Sequence, residues 1–172
     1  VAMQDVFLFS DTVDANIAYG RPDMPEEEVK DFAHRAGADE FIRKMQDGYD
    51  TLVGERGVGL SGGQKQRLSL ARALAIRPSI LILDDTTSAV DMETEKYLQE
   101  QLRQLDFPCT KIIIAQRISS IEDADLILVL DNGKIIERGT HRELLQNKGF
   151  YRHIWAIQNS KEEGEELGAQ PV

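Results

Sequence analysis

Cysteine is nearly missing from this chain. Cys109 is its only one, which excludes an internal disulfide and suits a reducing compartment. Positive charge is scarce as well: 20 Lys and Arg stand against 30 Asp and Glu, a net charge of −10. Contact with nucleic-acid phosphates needs a basic face, so this balance speaks against nucleic acid as a partner. Apolar runs stop at four or five residues, as in Ile80–Leu83 and Leu126–Leu130, far short of the ~20 needed to cross a bilayer. No secretory leader pattern opens the chain, and no internal repeat is visible. Any membrane link is expected to come through another segment or subunit. What is present, 172 residues with 41% hydrophobic content, suffices for one globular domain with a real core.

The most informative stretch begins at Leu60-Ser61-Gly62-Gly63-Gln64. It reads as a glycine loop opening a helix, Gln64 through Ile76, that stops before Pro78. Ser61 and Gln64 have the S-x-x-Q spacing of a capping box, and capping is also the plain structural reading of Ser61. Two glycines beside a helix start let a phosphate approach the backbone closely, where unpaired N–H groups and the positive dipole end gather. Ile80–Leu83 then reads as a short apolar strand ending in Asp84 and Asp85. A carboxylate at a strand end can hold Mg²⁺ beside such a phosphate. Nucleotide chemistry uses both features.

The residues Leu60–Asp85, LSGGQKQRLSLARALAIRPSILILDD, resemble the signature motif, its helix and the Walker B strand of ATP-binding-cassette (ABC) ATPases. Gln4, in AMQDVFLFSDTVDANIAYG, resembles the Q-loop, and Thr51–Gly57 (TLVGERG) resembles the X-loop of ABC exporters. Ser88–Asp91 resembles the D-loop, and Lys111–Ser120 resembles the switch-loop strand. The resemblance runs from residue 1 to about residue 158. It implies an α/β fold: a truncated P-loop NTPase-like core, mostly parallel sheet with flanking helices, plus the ABC helical subdomain. ATP and Mg²⁺ are the implied ligands.

No G-x-x-x-x-G-K-[ST] occurs in the chain, so the loop that would cradle the α- and β-phosphates is absent. Together with the start at Val1 and the early Gln4, this gives the expectation of the C-terminal portion of a nucleotide-binding domain. Residues 1–159 would be that portion. About 10–75 would form the helical subdomain with the signature helix, 78–159 the C-terminal part of the RecA-like core, and 160–172 a disordered acidic tail. Alone it is expected to bind ATP poorly and hydrolyse it negligibly.

The resemblance also assigns roles. Ser61, Gly62, Gly63 and Gln64 would complete the ATP site of an opposing nucleotide-binding domain. Asp84 would hold Mg²⁺ through water, with a solvated or capping aspartate as the alternative. Gln4 would touch Mg²⁺ or water, and Glu55 would face a coupling helix of the transmembrane part; an exposed loop or turn is the bland reading of each. Asp91 would sit at the dimer interface, though capping the next helix is equally compatible. His34, His141 and His153 read as surface or packing residues.

Two positions depart from the family. Asp85 stands where glutamate usually polarises the attacking water, and its shorter side chain falls about an ångström short, a displacement that can lower the rate roughly 10²-fold. Gln116 stands where histidine usually meets the γ-phosphate, and glutamine cannot become cationic. With the signature turn intact, the pattern implies one subunit of a heterodimeric exporter, degenerate in its own site, at the cytoplasmic face of a membrane. A chromosome-maintenance ATPase would bring heptads and basic surfaces, which are not seen. A non-catalytic module that docks on a transporter remains the other reading.

Helix and strand signals fill in the rest. They predict helices near Val13–Tyr19, after Pro25 to Gly37, over Asp39–Gln46, from Asp91 to about Leu105, over His141–Gln146, and after Gly149 to about Asn159. Lys111–Ala115 joins Ile80–Leu83 as an apolar strand, both of the kind buried on two faces in a parallel sheet; without the Walker A strand and helix both are expected to be exposed, favouring self-association. Asn132-Gly133 between Leu126–Leu130 and Lys134–Arg138 predicts a hairpin, and Thr140 with Glu143 a second capping box.

Overall fold

The computed structural model describes residues 6–54, 59–84 and 90–168, with side chains to residue 160. The chain divides into two compact units, residues 1–114 and 115–172. The first opens with a two-residue strand β1 (Asp11–Thr12), antiparallel to β2 (Leu52–Val53). The sequence reads as loop over both, because two residues are too few to show a period. The loop before β1 is held by Asn16, 1% exposed. Its Oδ1 accepts the Phe9 N–H at 2.9 Å, and its Nδ2 donates to the carbonyls of Phe9 (3.0 Å) and Thr12 (2.9 Å). A buried amide so fully satisfied replaces the ladder a longer strand would have made.

Three short helices come next, at the predicted signals. α1 (Val13–Ala18) is capped by Thr12, whose Oγ1 accepts the Ala15 N–H at 3.0 Å. α2 (Glu26–Arg35) begins after Pro25 with Glu26, Glu27 and Glu28 at the positive end of its dipole. It buries Val29, Phe32 and Ala33. It ends at Gly37, whose φ of +63° is the left-handed conformation that favours glycine. α3 (Asp39–Arg43) stops three residues short of its predicted end. There the Lys44 and Met45 N–H groups turn to the Phe41 and Ile42 carbonyls, tightening the last turn into 3₁₀ form.

α4 (Gly62–Ala75) is the centre of this unit. It starts two residues before the predicted Gln64, because Ser61 is the N-cap and the capping box counts Gln64 as the third helical residue. The glycines therefore lie inside the first turn. Leu68, Leu70, Ala71, Ala73, Leu74 and Ala75 are all buried, and the helix packs on both α1 and α2. The alanines let those neighbours approach closely, while each buried leucine contributes about 2 kcal/mol of apolar transfer. Two arginines satisfy carbonyls around it. Arg72 Nη2 donates to Phe7 O at 2.6 Å with its guanidinium over the Phe9 ring. Arg21 Nη1 donates to Ala75 O at 3.3 Å, at the helix's negative end.

β3 (Ile80–Asp84) leads through α5 (Met92–Arg103) to β4 (Thr110–Ile114), and the two strands pair in parallel with Ile80 opposite Thr110. Leu81 and Leu83 of β3 and Leu98 and Leu102 of α5 join the core around α4. The exposure expected of these two strands without the Walker A strand and helix is found, to different degrees. β3 is half covered, and every residue of β4 is exposed. Among the described residues β4 pairs with β3 alone, so Ile112 and Ile114 (47% and 52% exposed) and Ile113 behind them meet solvent.

The second unit holds the predicted hairpin, β5 (Ile127–Asp131) and β6 (Lys134–Gly139), turned by Asn132 and Gly133 with φ of +47° and +74°. α6 (His141–Gln146) begins at the Thr140–Glu143 capping box, and α7 spans Phe150–Gly168. α7 runs past Asn159, the predicted end of the last helix. Ile118, Ile127, Leu144 and Tyr151 make a small core. The Gln158 amide ties α7 to the segment before β5: its Oε1 accepts the Ile118 N–H and its Nε2 donates to Gln116 O, both at 2.9 Å. Among the described residues no helix is long and apolar enough to cross a membrane.

Leu74→Ala, which empties a site with 1% exposure, is expected to lower stability by about 3 kcal/mol in urea titration. The bare β4 face predicts concentration-dependent self-association of the isolated chain. Light scattering is expected to show Ile112→Lys with Ile114→Lys weakening it while the urea midpoint stays near that of the parent.

Candidate functional site

The first turn of α4 is built by reciprocal capping. Ser61 (ψ +161°) sits in extended geometry, its Oγ accepts the Gln64 N–H at 3.3 Å, and Gln64 Oε1 accepts the Ser61 N–H at 2.9 Å. Ser61 and Gly62 are exposed and Gly63 is buried. Because Ser61 Oγ already acts as acceptor, its O–H is left to donate outward. α2, α3, α5 and α6 each carry acids in the first turn; α4 carries none. This 14-residue helix therefore has no carboxylate within its own first turn to offset its positive end. Chemically the turn offers a hydroxyl and peptide N–H groups to an anion.

The other predicted residues fall in several places. Asp84 is the last residue of β3, half-buried and opposite Ile114 in the register. Asp91 caps α5: its Oδ1 accepts the Thr94 N–H at 2.9 Å and its Oδ2 the Thr94 hydroxyl at 2.8 Å. Those bonds from Thr94 hold the Asp91 carboxyl below its ordinary range. Gln116 lies in the second unit and is exposed; its carbonyl takes the Gln158 bond. Gln4, Glu55 and Asp85 lie outside the described residues.

A polar cleft of about 570 Å³ opens between the end of α2, the body of α4 and the start of α5, with His34, Gly37, Asp39, Arg67, Asp91 and Tyr97 on its walls. Asp91 enters it; Ser61 and Asp84 do not. Tyr97 donates to His34 O at 2.9 Å, and its oxygen lies 3.2 Å from His34 Nε2. Burial raises the Tyr97 hydroxyl's pKa. His141 meets Tyr151 in the same way, Nδ1 to hydroxyl at 2.7 Å. Both histidines pack against tyrosines, as their sequence context suggested.

Sequence reasoning missed Arg67. It stands four residues after Gly63, one helical turn on, which is the signal that would have found it. Among the described residues no group of three or more His, Cys, Asp or Glu side chains could hold a metal ion. Asp84, at the end of β3, could supply one carboxylate ligand. That suits Mg²⁺, which is commonly bound by one or two carboxylates together with phosphate and water.

Residues 1–88 match the family described as ABC transporter. An uncharacterized ABC transporter ATP-binding protein of Bacillus subtilis is 55% identical over 158 residues, covering 92% of this chain and 27% of that protein. A Staphylococcus aureus protein named for multidrug export, as an ATP-binding/permease protein, is 54% identical over 92% of this chain and 28% of its own length. The solved structure of a bacterial Atm1-family ABC exporter with ATP bound superposes with a TM-score of 0.87 at 46% identity, over 91% of this chain and 28% of that one. The chain thus spans just over a quarter of the length of these relatives. On a matching family, on more than half of its residues shared with ABC ATP-binding proteins, and on the fold of an exporter's ATPase, the chain belongs to the ABC transporter family.

Proposed function

We propose that this chain is the C-terminal part of the ATP-binding domain of an ABC exporter subunit, and that it acts by completing the ATP site of a second nucleotide-binding domain. The observation that carries this reading is the α4 turn, free of acids in its first turn and capped so that the Ser61 hydroxyl can donate. In a head-to-tail dimer, the Ser61 hydroxyl, the Gly62 and Gly63 amides and the Gln64 side chain would bind the γ-phosphate of ATP held by the partner. Electrostatic stabilisation by oriented donors of this kind is often the largest single contribution to a rate.

The chain's own site is read as weak. Asp84 would hold Mg²⁺, which when bound neutralises phosphate charge as a Lewis acid. Asp85 would orient water from too far away, and Gln116 would donate a neutral hydrogen bond where a cation is usual. Gln4 would sense the occupied site, Glu55 would meet a transmembrane coupling helix, and Asp91 would lie at the domain interface while capping α5. The partner is then a different, catalytically stronger nucleotide-binding domain, and the assembly sits at the cytoplasmic face of a membrane through transmembrane segments beyond this chain. Within this partial domain, about residues 10–75 are read as the helical subdomain with the signature helix and 78–159 as the C-terminal part of the RecA-like core.

In the full-length protein assembled with its partner, Ser61→Ala is expected to lower ATP turnover about tenfold, the loss of one charge-assisted hydrogen bond. An unchanged rate would end this reading of the turn. Asp85→Glu combined with Gln116→His is expected to raise turnover by roughly 10- to 100-fold. A rate that stays flat in that variant would show that the subunit's own site is not held back by these two residues.

A further inference from the structure

Arg67 is the cleft's built feature. Its Nη1 donates to Gly37 O at 3.0 Å and its Nε donates to Gly63 O at 3.3 Å. The guanidinium lies over Phe41, 4.9 Å from the ring centre. Gly37 is held left-handed, and a Cβ added there would sit 3.5 Å from Arg67 Cδ and 3.6 Å from Tyr97 Cδ1. The end of α2, the side of α3 and the first turn of α4 therefore meet at one planar cation. Two carbonyls in different directions, with an aromatic face beneath, suit a rigid fork and not a single ammonium. Burial lowers the pKa of this guanidinium, while Asp91 and Glu40 act against that shift; an arginine stays charged under such conditions.

The Gly63 carbonyl belongs to the same peptide group as the Gln64 N–H, and that N–H donates to Ser61 Oγ. A cationic donor on the oxygen of a peptide strengthens the N–H at its other end, and chains of hydrogen bonds polarise one another. We propose that Arg67 is a positioning residue for Ser61, acting through the Gly63–Gln64 peptide to fix and polarise the serine hydroxyl that meets the partner's nucleotide. The relay runs from Arg67 Nε–H to Gly63 C=O, and from Gln64 N–H to Ser61 Oγ. It leaves Ser61 O–H as the terminal donor. At the same time the Gly37 bond locks the turn to α2, so that a rotation of α2 would move the turn with it. This inference rests on the reading of the turn given above and adds a residue to it.

A mutant cycle in the full-length protein with its partner tests it, with MgATP as substrate and kcat and KM measured separately. Arg67→Met, which keeps the stem over Phe41, is expected to lower kcat/KM about tenfold when Ser61 is present. In the Ser61→Ala background the same change is expected to lower it less than about twofold, because residues acting as a unit are not additive. Arg67→Lys is expected to fall between wild type and Arg67→Met and to show the same cancellation, and it carries the cycle alone should Arg67→Met not fold. Equal losses in the two backgrounds would overturn the relay and leave the turn's role standing. A Ser61→Ala rate equal to wild type would overturn the turn's role, and the relay with it.

Discussion

The first unit depends on α4 doing two things that pull in opposite directions. Its body must be apolar enough to form the centre of a core, and its first turn must stay polar, open and free of carboxylates. The sequence separates these demands along the axis. Gly62 and Gly63 come first, capped by Ser61; Arg67 then marks the transition, and Leu68 to Ala75 complete the helix as its buried segment. Because the helix is anchored at both ends, by Ser61 and Gln64 at one and Arg21 at the other, its turn is held by the same packing that stabilises the unit. A mobile loop could offer the same donors, but it would lose ordering entropy each time they were used.

Three polar side chains elsewhere each close a place where regular structure stops. Asn16 stands in for a strand before β1, Gln158 ties the segment after β4 to α7, and Arg72 reaches the Phe7 carbonyl. Such side chains cost desolvation unless fully paired, and in these positions they are paired. Asp39 is the charged case. It takes the Tyr49 hydroxyl at 2.7 Å and a bond from Arg43 at 3.0 Å, and burial next to this carboxylate drives the Tyr49 pKa upward.

Much of this was legible in the residues, for local reasons. The capping boxes at Ser61 and Thr140, the Asn132-Gly133 turn, the acidic start of α2 and its stop at Gly37 are signals contained within a few positions. The parallel pairing of β3 and β4 agrees with their unbroken apolar runs. What could not be read was set by distant partners. β1 with β2 is too short for alternation. Arg67 looked like an ordinary helix cation until the fold brought Gly37 and Phe41 beside it. Gln4, Glu55 and Asp85 rest on motif alone.

The β3–α5–β4 crossover also governs the order in which this unit can assemble. Ile80 pairs with Thr110, 30 positions later, whereas the contacts among α1, α2 and α4 involve only chain that precedes β3. On a ribosome the helical cluster can therefore consolidate first. The edge of β3 that takes β4 must then wait until α5 has emerged and folded back, a delay characteristic of non-local parallel pairing. Nascent chains paused in that interval are where a chaperone would find its hold.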